Sequence, residues 1–261
     1  MRILELEARP FRELRYMNAA RRGGSEVARL PIHRARVDRL PPGLDAIVAT
    51  SDLQGVAPLR SAFGQSRLLG EALAELLVEL AESGEMPPLA RTGIVLAGDL
   101  YSDPQARQRG GLGDVTDVWL AFAEHFAWVA GVAGNHDALD VELLAQLDNA
   151  SFLDGSVVVH DEVRLGGVSG IIGNPARPQR RDEGPFLERV VQVLALDPDV
   201  LILHEGPEGD EDQRGNPMLR EWVDDHGALV ICGHVHWERP LAERQGGQIL
   251  NVDARAVVLG R

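Results

Sequence analysis

The sequence predicts an α/β fold in which many strands pair in parallel. The first observation is a series of short, continuous apolar runs of the kind that form buried strands. The second is that segments with apolar residues at helical spacing lie between these runs. The third is that 261 residues, 44% hydrophobic and 25% charged, suffice for one large domain with a sizeable core. Strands that alternate with helices in this way favour parallel pairing.

The charge and the cysteine content exclude some classes of protein. A formal net charge of -14 argues against broad, non-specific nucleic-acid binding, although bound metal ions can still attract a phosphate. The single cysteine, Cys232, cannot form an internal disulfide and lies in an apolar run, so we expect a buried thiol. The first seven residues carry charge where a signal peptide is apolar, and no segment has the roughly 18 apolar residues of a membrane span. We therefore expect a cytoplasmic protein without a membrane partner.

We expect residues 46–261 to form the main domain. Residues 1–45 are expected to form an N-terminal extension or an edge hairpin that packs on it. Residues 3–7 alternate apolar and charged side chains, as in a half-buried strand. A second strand-like piece covers residues 30–37 and ends before Pro41-Pro42-Gly43. Four arginines between the two pieces predict a solvated face rather than a binding patch: Arg12, Arg15, Arg21 and Arg22.

From residue 45 onward the elements follow regularly. Apolar runs predict strands at residues 46–50, 93–97, 128–132, 200–203, 228–232, 248–252 and 256–259. Helical spacing predicts helices at residues 58–81, 118–126, 139–147, 185–196 and 217–225. Residues 157–165 predict a hairpin with Asp161-Glu162 at its tip.

Five of the predicted strands end in polar groups that can bind a metal ion. A single strand-end aspartate is as a rule a turn or cap residue, but five coincidences favour one site, because ligands bind at the carboxyl ends of strands in open α/β sheets. Carboxylate, amide and imidazole together suit Mn²⁺, Fe or Zn²⁺. The residues are Asp52, Gln54, Asp99, Asn135, His136, Asp137, His204, His234 and His236.

These segments resemble the successive motifs of the calcineurin-like metallophosphoesterases. The motifs are Asp52-Leu53-Gln54, Gly98-Asp99, Gly134-Asn135-His136-Asp137, His204 and Gly233-His234-Val235-His236, in the order of that family. The resemblance covers about residues 45–260. It implies a four-layer α/β/β/α sandwich of two mixed sheets flanked by helices, with a site for two metal ions at one edge.

The resemblance also implies roles for the motif residues. Asp52, Gln54, Asp99 and His236 would hold the first metal. Asp99, Asn135, His204 and His234 would hold the second, with Asp99 shared. His136 would face the substrate and protonate the leaving oxygen, oriented by Asp137. The implied reaction is hydrolysis of a phosphodiester or phosphomonoester by a hydroxide between two cations roughly 3.5–4 Å apart.

The sequence departs from the family at Gln54, where a histidine is usual. A neutral amide oxygen predicts weaker occupancy of the first site and a preference for Mn²⁺ or Mg²⁺, so two divalent ions, with Mn²⁺ first, are the expected cofactors. The arginines that grip phosphate in the protein Ser/Thr phosphatase branch are missing from their usual places. Five loop arginines could take their part or could simply be solvated: Arg107, Arg109, Arg177, Arg180 and Arg181.

Three functions remain open from the sequence. The first is a metal-dependent hydrolase of small phosphate esters or nucleotides. The second is a catalytically weak or silent protein of the same fold that acts as an interaction scaffold, for which Gln54 is the main argument. The third is a protein that fills only the second metal site. The number of metal ions bound per chain separates them.

Overall fold

The computed structural model describes residues 1–57 and 67–261. The strands in these ranges are β1 (Ile3–Leu6), β2 (Arg12–Ala19), β3 (Ser25–Val37), β4 (Ala46–Ser51), β5 (Val56–Ala57), β6 (Arg67–Leu68), β7 (Thr92–Ala97), β8 (Gly113–Asp114), β9 (Trp128–Val132), β10 (Asp137–Ala138), β11 (Ala150–Phe152), β12 (Ser156–His160), β13 (Val163–Val168), β14 (Ile171–Ile172), β15 (Arg180–Arg181), β16 (Val200–Leu203), β17 (Leu229–Cys232), β18 (Leu241–Glu243), β19 (Gln248–Asn251) and β20 (Arg255–Gly260). The α-helices are α1 (Leu69–Glu82), α2 (Thr116–His125), α3 (Val141–Leu144), α4 (Glu183–Leu194) and α5 (Pro217–Asp224).

Two mixed sheets carry the fold. In the described ranges the larger sheet has ten strands in the order β11-β9-β7-β4-β20-β3-β2-β5-β6, with β1 paired to β3. Strands β4, β7, β9 and β11 are parallel, whereas β20 is antiparallel to β4. The smaller sheet runs β12-β13-β16-β17-β19-β18, parallel at its centre and antiparallel at both edges. Parallel strands bring their carboxyl ends to one edge of each sheet.

The sheets pack face to face and each is covered by helices. Val95 and Ala130 of the larger sheet share a buried apolar cluster with Ile202 and Ile231 of the smaller sheet. A second cluster joins the outer face of the larger sheet to α1 and α2, and a third joins the smaller sheet to α4 and α5. The fold is therefore the four-layer α/β/β/α sandwich that the family resemblance implies. None of the described helices is both long and apolar enough to span a bilayer.

The central predicted strands are confirmed with small shifts at their ends, and the hairpin is confirmed as β12 and β13. Of the helix expected at 58–81, residues 58–66 lie outside the described residues, and α1 begins at Leu69. Arg67 and Leu68 pair with β5 instead, because tertiary strand pairing overrides local helical spacing. The helix expected at 139–147 is only the single turn α3.

The N-terminal residues form part of the larger sheet. β2 pairs with β3 along its whole length, from Arg12 opposite Ile32 to Ala19 opposite Ser25. β3 in turn pairs in parallel with β20 near the middle of the sheet. The arginines of β2 are exposed, as expected for a solvated face, but the sequence did not predict that they stand on a strand. Successive side chains of a strand point to opposite faces, so exposed arginines on one face of a strand look the same in the sequence as arginines of a solvated loop.

Candidate functional site

The candidate site lies where the carboxyl ends of strands from both sheets meet. Asp52 and Asp99 follow β4 and β7 of the larger sheet, and His204 follows β16 of the smaller one. Nδ1 of His204 donates to the carbonyl oxygen of Ala97 at 2.8 Å, which ties the two sheets together at this edge. The site therefore rests on two buried strand ends rather than on a long loop.

Three side chains converge as a possible metal-binding group: Asp99, His204 and His234. Their ligand atoms all lie within 4.8 Å of one another. Nε2 of His204 is 3.3 Å from Oδ1 of Asp99, and the two imidazole rings stand edge to face at 5.1 Å. One carboxylate and two imidazoles at this spacing form a mixed nitrogen and oxygen donor set that suits Mn²⁺, Fe or Zn²⁺.

Two buried polar atoms make no hydrogen bond among the described residues: Oδ1 of Asn135, and Nε2 of His204, which lies only within ion-pair distance of Asp99. Burying such an atom without a partner costs roughly 1–3 kcal/mol, so an orphaned pair needs an explanation. Both atoms are ligand types for a divalent cation. The residues present therefore fit the metal that the resemblance implies.

The turns that hold these ligands adopt unusual backbone conformations. Asp52, Asp99 and His234 have φ angles of 53°, 54° and 67°, in the left-handed region that non-glycine residues rarely occupy. A Cβ on Gly134 would lie 2.0 Å from Oδ1 of Asp99, so only glycine admits this approach. Such strain persists where the surrounding structure enforces it, and it concentrates at functional sites.

The residues expected at the first metal site are less tightly gathered. Oδ2 of Asp52 accepts hydrogen bonds from Oγ of Ser51 at 2.6 Å and from the backbone of His234 at 2.9 Å. Nε2 of Gln54 donates to Oδ2 of Asp99 at 2.9 Å. The His236 side chain is 58% exposed. Asp52 and His236 fall outside the converging group of three.

His136 faces the site, but its orientation differs from the expectation. Its Nε2 lies 3.8 Å from Oδ2 of Asp99, and its Nδ1 hydrogen-bonds the carbonyl oxygen of Gly111 at 2.5 Å. The carboxylate of Asp137 instead accepts three backbone amides, from Leu100, Tyr101 and Gly134, at 2.8 to 3.1 Å. The contact that orients the ring is therefore the Gly111 carbonyl, and Asp137 holds the two turns that carry Asp99 and Asn135.

The five arginines expected at the substrate are split between two places. Nε of Arg109 donates to the carbonyl oxygen of Ala19 at 2.9 Å, and the residue lines a cavity that also includes Gln54. Arg107 is exposed on the same loop. Arg181 is engaged by Asp154 at 2.6 Å, which makes it a structural anchor. Arg177 is exposed on the loop before β15, and Arg180 is half-buried on β15 next to Arg181.

The electrostatics of the site reflect carboxylates buried close together. Burial alone would raise the pKa of Asp99, but the neighbouring His204 outweighs it and lowers that pKa below its usual range. Burial would lower the pKa of His204, yet Asp99 raises it to about 10. Burial, followed by the charge of His204, lowers the pKa of His234 to about 4. Burial also raises the pKa of Asp52. Such a cluster favours a positive charge beside Asp99.

Sequence reasoning missed two polar residues that support the site. Oγ of Ser51 bridges Asp52 and the carbonyl oxygens of Ala97 and Gly98. Oδ1 of Asp253 lies 3.1 Å from Nδ1 of His236. Asp253 follows β19, so the rule that found the other strand-end residues could have found it. Ser51 carries no comparable signal, because a serine before an aspartate is common in turns.

Comparisons with known proteins place this geometry in a family. The model of the calcineurin-like phosphoesterases matches residues 46–238, and the chain belongs to that family. The crystal structure of TT1561 from Thermus thermophilus is similar, at 16% identity and a TM-score of 0.53, over 80% of this chain and 88% of that one. The phosphopantetheinyl hydrolase PptH of Mycobacterium tuberculosis aligns at 15% identity and a TM-score of 0.46, over 80% and 88% of the two chains. No curated protein gives a significant match.

Proposed function

We propose that this protein is a metal-dependent hydrolase of phosphate esters. The observation that carries the proposal is a pair of buried ligand atoms without a hydrogen bond, Oδ1 of Asn135 and Nε2 of His204, the second of which lies 3.3 Å from the carboxylate of Asp99. In a protein that served only as a scaffold, burying these atoms without a hydrogen bond would cost free energy and serve no function. Membership of the calcineurin-like phosphoesterase family supports the same reaction class.

In this proposal two divalent ions are the cofactors, with Mn²⁺ first and Fe, Zn²⁺ and Mg²⁺ as alternatives. Asp99, Asn135, His204 and His234 hold one ion. Asp52, Gln54, Asp99 and His236 hold the other. When bound, such ions supply Lewis-acid charge for the phosphoryl oxygens and lower the pKa of a water ligand.

His136 is the proposed proton donor to the leaving oxygen. A carbonyl oxygen can only accept, so its contact with Gly111 keeps a proton on Nδ1 and leaves Nε2 as the atom that exchanges a proton. The side chain is 24% exposed, and its Nε2 lies 3.8 Å from Oδ2 of Asp99 at the candidate site. Asp137 acts as a positioning residue, because it fixes the backbone on both sides of Asp99 and Asn135.

The proposed substrates are small phosphate esters, with diesters and nucleotides ahead of monoesters. The net charge of -14 disfavours a long polyanion such as nucleic acid. The absence of the phosphate-gripping arginines of the protein phosphatase branch also disfavours a phosphoprotein. Of the five arginines proposed to contact the substrate, Arg109 lines the cavity that also includes Gln54.

One observation favours the second candidate, a weakly active or silent scaffold. Gln54 presents its amide nitrogen to Asp99, and His236 is largely exposed, so the first metal site is less gathered than the second. Metal content per chain after dialysis against Mn²⁺ distinguishes the candidates. Two ions support the dinuclear hydrolase, one ion supports a protein that fills only the second site, and none supports the scaffold.

The test of the reaction is hydrolysis of bis-p-nitrophenyl phosphate beside p-nitrophenyl phosphate, with and without Mn²⁺. We expect metal-dependent turnover, and a kcat lowered about 100-fold or more in His136→Ala, because general acid catalysis contributes about that much. His125→Ala, an exposed histidine on α2, is the matched control and should keep its activity. A folded protein without turnover in any metal would overturn the hydrolase.

A further inference from the structure

The cavity that Gln54 and Arg109 line adjoins the metal-binding residues, and nothing in the family motifs accounts for it. Its volume is about 150 Å³, and the side chains that line it are Asn18, Gln54, Tyr101, Ser102, Gln108 and Arg109. Gln54 connects the cavity to the site directly, because its amide donates to Asp99. Pockets that hold a whole drug-sized ligand measure about 300–1,000 Å³, so this one has room for a single ring of a larger molecule.

The N-terminal hairpin builds one wall of this cavity. Oγ of Ser25 donates to the carbonyl oxygen of Gln105 at 3.3 Å, and Nε of Arg109 donates to that of Ala19 at 2.9 Å. These contacts fasten the β2–β3 hairpin to the loop that follows Asp99. Asn18, which stands near the end of β2, is thereby placed beside residues of the phosphoesterase motif.

The lining is polar but nearly neutral. Among the described residues no acidic side chain lines the cavity, and its single cation, Arg109, is already engaged by Ala19 and lies 3.9 Å from Glu26. Three amides, a hydroxyl and a phenol offer both donors and acceptors. A second phosphate has only acceptors and would leave the amide oxygens unpaired. An uncharged ring with donors and acceptors on its edge matches the lining better.

We propose that this cavity binds the nucleobase of a nucleotide ester while the phosphate lies at the metal-binding residues. Asparagine and glutamine amides pair with base edges through one donor and one acceptor, and an aromatic side chain such as Tyr101 offers a surface for a base. Oδ1 of Asn18 accepts from the backbone of Ala19 at 2.8 Å, and its Nδ2 has no partner within the described ranges. The assignment rests on the hydrolase function proposed above.

The test compares two diesters with the same leaving group: p-nitrophenyl thymidine 5′-phosphate and the base-free p-nitrophenyl phenyl phosphate. We expect Asn18→Ala and Gln108→Ala each to lower the ratio of kcat/KM between the nucleoside ester and the base-free ester by about three- to ten-fold, the effect of one hydrogen bond. Gln105→Ala, on the same loop but outside the cavity lining, is the matched control and should leave the ratio unchanged. Unchanged ratios in all three variants would overturn the subsite and leave the hydrolase standing.

If neither ester is hydrolysed, the hydrolase proposal fails and binding decides the subsite. Calorimetry would compare the four nucleoside 5′-monophosphates with ribose 5-phosphate, which lacks only the base. At least one nucleotide should bind ten-fold or more tighter than ribose 5-phosphate, and Asn18→Ala should reduce that difference. Equal affinity for ribose 5-phosphate and for all four nucleotides would exclude a base-binding cavity.

Discussion

Asp99 connects most of the residues in the candidate site. Its Oδ2 accepts from Gln54, its Oδ1 accepts from the backbone of His136 at 3.0 Å, and Nε2 of His204 lies 3.3 Å from Oδ1. The carboxylate is almost fully buried, so its negative charge has few waters to stabilise it. A group in this position links the occupancy of both proposed metal sites.

At Gln54 we expect a substitution to change metal binding in a defined direction. Gln54→His replaces a neutral amide by an imidazole, the ligand that the family usually has there, so the weaker of two binding steps should tighten by ten-fold or more. Titration with Mn²⁺ in a calorimeter measures both steps. Gln105→His adds an imidazole on an exposed loop away from the ligands and is the control. Equal affinities for two ions in the unchanged protein would contradict the prediction.

The turns after β7 and β9 form one unit, because a single buried carboxylate joins them. Asp137 is 1% exposed, and it accepts from Leu100 and Tyr101 after β7 and from Gly134 after β9. The geometry of the candidate site thus depends on a buried carboxylate that accepts these hydrogen bonds from backbone amides. The two turns are held to each other because their backbone amides share this acceptor.

Removal of that acceptor should destabilise the protein strongly. Asp137→Ala leaves three amides without their partner, and we expect the free energy of unfolding to fall by about 3–5 kcal/mol. Asp137→Asn keeps one carbonyl oxygen and should lose less. Urea denaturation measures both, with exposed Asp148→Ala as the control, expected within about 0.5 kcal/mol of the parent. A loss below about 1 kcal/mol for Asp137→Ala would show that other contacts hold these turns.

The whole molecule carries half-buried histidines in both sheets. His33 lies on β3, and burial lowers its pKa despite a hydrogen bond with the carbonyl oxygen of Glu7. His160 lies on β12, where its ring stacks on Trp128 at 5.4 Å, and burial lowers its pKa despite nearby Asp161. Neither residue belongs to the proposed metal-binding set, and each lies in a different sheet.

These two histidines each contribute a loss of stability in mild acid. Their pKa values are lower in the folded state than the value of about 6.5 in the unfolded chain, so the unfolded chain binds more protons below that pH. Their contribution to the free energy of unfolding should therefore fall as the pH drops from about 7 towards the folded pKa values, whereas His204, whose pKa is raised to about 10, contributes in the opposite direction. Urea denaturation at about pH 7.5 and about pH 5.5, repeated with His160→Gln, measures it. Relative to the parent, the free energy of unfolding of the variant should be higher at about pH 5.5 than the difference at about pH 7.5 accounts for, because the variant lacks the unfavourable protonation of His160. A difference between parent and variant that is the same at both pH values would contradict the assignment.

The sequence by itself determined the central strands, the layer order through its family motifs, and the residues that stand at the strand ends. Apolar runs and helical spacing are local signals, because the buried face of a strand or helix needs apolar residues wherever it packs. Motif residues were found for the same reason: each follows directly on a buried strand.

Only the tertiary structure decided which of these residues meet. The pairing of β2 with β3, the contact of Asp253 with His236 and the place of Asn18 beside Gln54 each join residues that no local period relates. The tertiary structure also shows that the Gly111 carbonyl oxygen, not Asp137, orients the ring of His136. The carboxylate of Asp137 instead accepts hydrogen bonds from the turns. Hydrogen bonds between distant segments depend on how the chain packs as a whole, so the spacing of residues along the sequence does not determine them.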